Sequence, residues 1–253
     1  MDFLFFFLGL GTGVIGTIVG AGGGFLLTPV FLFLFPAMSP IHLTALSLLA
    51  VCANSASGSL GYAFRKQVHW PSVILFAATA IPGVLIGVPL LGYLPRRQFE
   101  ITFAVFLVFM SVFIWWRSFR KKTVATHPNQ FWNLKNQVIG GFVSFFVGIV
   151  SSLFGIGGGI VHVPLLSELL KYPIHLAAGT SHSILAITSA VAVVMHFYLD
   201  GFNHLESFTP YLIVGLVVGA QGGAMFAKKV SSAWILRGLG LALMLVALRL
   251  FFR

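Results

Sequence analysis

Charge is what this sequence has least of. Lys, Arg, Asp and Glu together make 8% of its 253 residues, where a soluble domain carries about 25%. Acids are the scarcest: Asp2, Glu100, Glu168, Asp200 and Glu206 are all there are. None of the five lies at the centre of an apolar run, although a cation carrier or carboxylate proton pump needs acids at membrane depth. Their scarcity favours an anionic or neutral substrate and argues against metal transport. The single cysteine, Cys52, excludes an internal disulfide and makes no metal pattern. There is no His-Glu-x-x-His, no nucleophile elbow and no carboxylate cluster, so no catalytic residue, cofactor or metal is expected.

What is present is apolar. Hydrophobic residues make up 58% of the chain, with a mean hydropathy of +1.00. The formal net charge of +10 comes from basic residues between apolar runs, as in Arg65-Lys66, Arg96-Arg97 and Arg117 to Lys122. Lys and Arg in this pattern mark the cytoplasmic surface of a membrane, and no nucleic-acid motif accompanies them. The start Met1-Asp2 lacks the basic segment of a signal peptide, so the first run is read as mature protein.

Apolar runs fall at 3–19, 25–35, 41–64, 72–92, 99–116, 137–153, 160–170, 174–199, 208–227 and 233–252. Six approach the roughly 20 residues of a full helical span: 41–64, 72–92, 99–116, 174–199, 208–227 and 233–252. The runs 25–35 and 160–170 reach only about 16 Å as helix, half the hydrocarbon core. The longest polar stretch, 117–136, is the one credible linker.

The halves on either side of it match. Gly20-Ala21-Gly22-Gly23-Gly24 through Pro29 aligns with Gly155-Ile156-Gly157-Gly158-Gly159 through Pro164, 135 residues later. Pro40-Ile41-His42-Leu43 aligns with Pro173-Ile174-His175-Leu176 at an offset of 133. This reads as an all-α integral membrane protein of two repeats, 1–118 and 136–253, joined by a cytoplasmic linker at 119–135. Each repeat is expected to hold three full transmembrane helices and a glycine-broken, re-entrant helical hairpin. An odd crossing number inverts the second repeat, which puts ten Lys and Arg on one side and four on the other. Four plain crossings per half would split them nine to five.

Glycine costs about 1 kcal/mol in a helix relative to Ala. Unwound backbone at membrane depth survives only where protein or a wet cavity encloses it. A short helix follows each glycine cluster, and its first N–H groups are free and carry the positive end of the dipole. Such an end binds anions, and two inverted copies would face one midplane site. Close helix packing is the competing reason for the glycines. Neither cluster has the ending of a P-loop.

With its paired Gly-x-Gly-Gly-Gly-x4-Pro signatures, its Ala178-Gly179-Thr180-Ser181 stretch and the Gly-rich segment after Ala220-Gln221-Gly222, the chain resembles the TauE/SafE family along nearly its whole length. The first half departs from the family at Ala45-Leu46-Ser47. The resemblance implies a multi-pass transporter of the bacterial inner membrane, moving sulfite, a sulfonate or a related organosulfur anion. Export by alternating access is the leading expectation; an anion channel and an uptake permease for another small organic anion are the alternatives.

Candidate substrate-binding residues are Gly22, Gly23, Gly24, Gly157, Gly158 and Gly159 as backbone donors. Thr28 and His162 follow just inside the short helices. Ser47, Asn54, Thr180, Ser181, His182 and Gln221 supply polar groups within apolar spans, with Ser47 and Thr180 at matching repeat positions. The two histidines at membrane depth are candidates for attracting an anion or carrying a proton. Each polar group could instead bond a neighbouring helix or its own preceding turn. The expected partners are a small anion and the lipid bilayer, not nucleic acid.

Overall fold

The computed structural model describes residues 2–118, 132–199, 201–202, 206–227 and 232–252. Most of the linker, together with Arg120, Lys121, Lys122, Asp200, Lys228, Lys229 and Arg253, therefore lies outside the described residues. All regular structure among the described residues is helical. The helices are α1 (Asp2–Val19), α2 (Gly24–Leu34), α3 (Pro40–Phe64), α4 (Trp70–Leu90), α5 (Arg96–Ser118), α6 (Leu134–Phe154), α7 (Gly159–Pro164), α8 (Ile174–Tyr198), α9 (Thr209–Phe226) and α10 (Ser232–Phe251). A short 3-10 turn, Leu91–Tyr93, ends α4, and a π turn, Leu165–Leu169, continues α7.

Among the described residues, six helices are long and apolar enough to cross a membrane: Pro40–Phe64, Trp70–Tyr93, Arg96–Trp116, Leu134–Phe154, Ile174–Tyr198 and Thr209–Phe226. The set includes one helix not among the expected six, Leu134–Phe154. The run 137–153 is too short by composition, yet its helix has 21 residues because Leu134, Lys135, Asn136 and Phe154 join it. Asn133 fixes the start by accepting a 2.9 Å hydrogen bond from the Asn136 N–H, an ordinary N-cap. The run 233–252 forms α10, a helix of 20 residues.

Local chemistry sets the helix starts. Proline opens α3, α4 and α9, where a missing N–H costs nothing. Glycine ends α1 and α6. Gly20, Gly22 and Gly23 have φ of 81°, 75° and 79°, and Gly155, Gly157 and Gly158 have 69°, 75° and 77°. A side chain at any of these would be strained, which is why the motif is glycine. The two turns are the same structure built twice.

Each turn sends the chain back the way it came. The rings of Phe5, Phe35 and Phe208 meet, with Phe5 and Phe208 centroids 4.0 Å apart and Phe35 and Phe208 5.2 Å apart. The start of α1, the end of α2 and the start of α9 thus share one end of the bundle. Arg96 joins them there by donating to Leu32 O, Phe35 O and Met38 O, while pairing with Glu100 at 2.9 Å. At the opposite end, Asn136 of α6 donates to Leu170 O at 3.4 Å, so the π turn comes back beside the start of α6. His69 and Trp132 stack edge-on at that same end, 5.0 Å apart.

Helix packing follows a double pattern. α1 lies along α9 and α4 along α6; α3 crosses α8, and α5 lies along α10. Glycines carry the first two interfaces, and their contacts recur in register. Gly13 abuts Leu216 O as Gly148 abuts Ala80 O; Gly219 abuts Leu10 O as Gly83 abuts Phe145 O; Gly223 abuts Val14 O as Gly87 abuts Ile149 O. The paired positions lie 135 residues apart on α1 and α6 and 136 apart on α4 and α9. Small residues let backbones approach where lipid offers no hydrophobic drive for association. Large apolar side chains such as Phe109, Phe142, Val214 and Leu245 point outward, as a lipid-facing surface requires.

Candidate functional site

The two glycine turns touch at the centre of the protein. A Cβ on Gly24 would lie 2.8 Å from Gly155 O, and one on Gly159 would lie 2.6 Å from Gly20 O. All of Gly22, Gly23, Gly24, Gly157, Gly158 and Gly159 are buried. Val51 of α3 packs on Gly22, Gly24 and Gly157, and Leu185 of α8 packs on Gly22 and Gly159. These two side chains fill the space between the turns.

The main-chain donors here are largely unsatisfied. Gly22 N–H bonds Gly16 O at 3.3 Å, so it leaves the set of expected free donors. Beyond the turns, Leu26 and Leu27 bond Gly23 O, and Val161 and His162 bond Gly158 O. Between these lie the N–H groups of Gly23, Gly24 and Phe25, and of Gly157, Gly158, Gly159 and Ile160. Among the described residues no hydrogen-bond acceptor meets them. Buried N–H groups are otherwise almost always paired, so seven in one place mark a position built to receive acceptors.

Hydroxyls brace the turns from behind. Gly155 O accepts from Ser47 at 2.7 Å and from Thr28 at 3.1 Å, and the two hydroxyls lie 2.8 Å apart. Gly20 O accepts from Ser181 at 3.0 Å. These bonds fix the register between α3 and α8. The counterpart of Ser47 is Ser181, 134 residues on, and not Thr180 as the sequence alignment suggested. Thr180 instead accepts from the His69 N–H at 3.0 Å and ties the α3–α4 loop to α8. Next to it, Gln67 O sits where a side chain on Gly179 would go. The one-residue discrepancy arises because Pro40 is the first residue of α3, whereas Pro173 lies just before α8 as its N-cap.

The remaining candidates form two further groups. His162 is buried, with Nε2 3.3 Å from Ser144 Oγ. His182, also buried, has Nε2 3.3 Å from Thr17 Oγ1, which lies 3.4 Å from Asn54 Oδ1. Gln221 donates to Ser57 O and Ser57 Oγ at 2.7 and 2.9 Å, and Ser57 donates to Val217 O at 2.9 Å. Gln221 is thereby held to α3 rather than to the turns. Among the described residues no group of three His, Cys, Asp or Glu could hold a metal ion.

Comparison with known proteins decides the family. The model of the sulfite exporter TauE/SafE family matches residues 5–250. The chain belongs to the TauE/SafE family. It is 26% identical to the probable membrane transporter protein YunE of Bacillus subtilis strain 168, over 97% of this chain and 95% of the relative. A probable membrane transporter protein of Xylella fastidiosa strain 9a5c is 25% identical, over 93% and 89%. A third, MJ0441 of Methanocaldococcus jannaschii, is 25% identical over 76% and 71%. No solved structure matches the chain. With six candidate spans, this TauE/SafE member is a multi-pass membrane transporter.

Sequence reasoning missed four residues that organise this TauE/SafE site. Val51 and Leu185 are ordinary apolar residues in apolar helices, and only the fold puts them between the turns. Thr17 sits in α1 with nothing nearby in sequence to distinguish it. Tyr62 donates to Thr17 O at 2.8 Å and stands edge-on to His182, 5.7 Å away. A buried tyrosine needs a partner for its hydroxyl, which was the one available signal.

Proposed function

We propose that the protein exports a small oxyanion, with sulfite and sulfonates as the substrate class, across the bacterial inner membrane. The observation that carries this reading is the set of seven buried N–H groups without acceptors at the two glycine turns. They lie at the starts of α2 and of the helix running from Gly159 to Leu169, where the dipole is positive. The nearest carbonyls, Gly20 O and Gly155 O, are occupied by hydroxyl donors. An oxyanion between the turns would therefore meet donors rather than bare carbonyl oxygens. The substrate class rests on the family's description as sulfite exporters.

Alternating access fits the double packing pattern. The halves 1–118 and 136–253 act as inverted copies about an axis in the membrane plane, with the linker cytoplasmic. Support comes from the opposite ends at which the hairpins begin, marked by Phe5–Phe35 and by Asn136–Leu170. Val51 and Leu185, between the turns, act as the movable barrier that an anion displaces. Gly23, Gly24 and Gly157–Gly159 bind substrate, with Gly22 shaping the first turn; Thr28, Ser47 and Ser181 hold the turns in shape. Thr180 secures a loop, and Gln221 secures α9 to α3.

Flux into liposomes tests the reading. Reconstituted protein is expected to speed the entry of at least one of sulfite, sulfate, thiosulfate, sulfoacetate and methanesulfonate over empty vesicles. Equal rates for all of them would remove the proposed function.

A further inference from the structure

His182 has no exposed surface, and neither have Thr17, Asn54 and Tyr62 around it. Asn54 Oδ1 can only accept, so the Thr17 hydroxyl donates to it and accepts from His182 Nε2–H. The chain of bonds leaves two atoms without a partner, His182 Nδ1 and Asn54 Nδ2. An unsatisfied buried polar atom costs about 1–3 kcal/mol. Packing does not require that cost here, because the fold contains the same place a second time. By the 134-residue offset between α3 and α8, the counterpart of His182 is Leu48 and that of Gly58 is Ala192. Gly58 lies against the His182 ring, and Leu48 and Ala192 lie together with Val84 and Val88, while Ser152 and Thr188, the counterparts of Thr17 and Asn54, bond carbonyls of their own helices. At the position itself one copy has a leucine and the other an imidazole.

We propose that His182 carries a proton that travels with the anion, making the protein a proton–anion cotransporter. The Nδ1 lone pair takes H⁺ from water on one side and returns it to water on the other; the only bond made and broken is N–H. The imidazolium would stand beside the first glycine turn, since the preceding residue, Ser181, bonds Gly20 O. In low dielectric, opposite charges favour each other's presence strongly, so proton and anion occupy the protein together. For a monovalent anion the cycle is electroneutral. Of the groups facing the ring, Tyr62 on α3 is titratable, and its hydroxyl is bonded to Thr17 O. Arg65, one turn on, donates to Gly61 O. From α1 the ring meets Thr17. No carboxylate, lysine or second histidine among the described residues touches it.

The inference rests on the proposed anion site, and the experiment separates the two. Liposomes containing a pH-sensitive dye are offered sulfate, thiosulfate, sulfoacetate and methanesulfonate in turn; sulfite is left out because its own protonation moves the dye. Wild-type protein is expected to acidify the lumen as an anion enters. His182→Leu is expected to cut at least tenfold the acidification per labelled anion that enters. Anion entry without acidification, or acidification intact in His182→Leu, overturns the proposal. If no anion enters, the anion site itself has failed. Should His182→Leu not fold, Thr17→Val keeps the imidazole and removes its partner. It is expected to shift the pH midpoint of uptake, and an unchanged midpoint overturns the proposal as well.

Discussion

The two halves share a backbone plan and differ in where they place polarity. Both have a three-residue set of left-handed glycines, a short helix with proline at its sixth position and a long helix crossing its counterpart. In the first half the short helix carries Leu27 and Thr28 where the second carries His162 and Val163. On the long helix, Leu48 answers His182 and Tyr62 answers His196. The first half thus lends two hydroxyls to the second turn, and the second half lends one hydroxyl to the first. Two-fold architecture needs identical backbones, because the turns must meet. It does not need identical side chains, so chemistry can be placed in one copy alone.

The glycines offer the sharpest way to break this comparison. Gly24→Leu drives a side chain into Val51 and Gly155 O, and Gly159→Leu drives one into Ala21 and Gly20 O. Each is expected to lower anion flux more than 100-fold, measured in liposomes on protein that elutes as a single species. A large loss from one and none from the other would mean that the turns are not equivalent. Leu48→His comes next. It places an imidazole in the apolar twin of the His182 position and is expected to cost about 1–3 kcal/mol. His182→Leu should by contrast leave thermal stability nearly unchanged, and equal melting temperatures for the two variants would refute the asymmetry.

The hydroxyl braces give a smaller difference. Ser181→Ala leaves Gly20 O without its side-chain donor and is expected to cost about 1–2 kcal/mol. Ser47→Ala should cost less, because Thr28 still donates to Gly155 O at 3.1 Å. Thermal melts in detergent will show whether that order holds. The smallest effect belongs to Tyr172, in the loop before α8, whose hydroxyl lies 2.5 Å from Ser72 Oγ. Burial pushes its phenol up to about 12, against a weaker opposing effect of the Ser72 bond. The folded state then holds this proton more tightly than the unfolded state does, so stability declines as pH rises from about 10 toward 12. Tyr172→Phe should flatten that decline in pH-dependent melts, whereas an undiminished decline would place it elsewhere.

Much of the fold is legible because its causes are local. Apolar runs of spanning length gave α3, α4, α5, α8 and α9 close to their observed limits. The glycine motifs located both turns, since only glycine tolerates three left-handed positions in five residues. The start of α6 was less clear, because an Asn133 cap outweighs the loss of apolar character over residues 135–137. The site was legible in composition but not in assignment. Thr28, Ser47, Thr180, Ser181 and Gln221 were all identified as polar groups within apolar helices. Their partners, at separations of 108 to 164 residues for Ser47, Thr180, Ser181 and Gln221, have no local signature.

By itself, then, the sequence determined the solvent and the plan: too few charges to face water, two copies of one motif, and turns that only glycine can make. The tertiary structure alone decided which polar atoms are spent on holding the turns and which are left over. A hydroxyl finds whichever carbonyl the fold brings within 3 Å, and that depends on helix register, which a one-residue difference in where the helix starts relative to its proline changes. The N–H groups of the turns and the Nδ1 of His182 stand out only once every nearby acceptor has been placed.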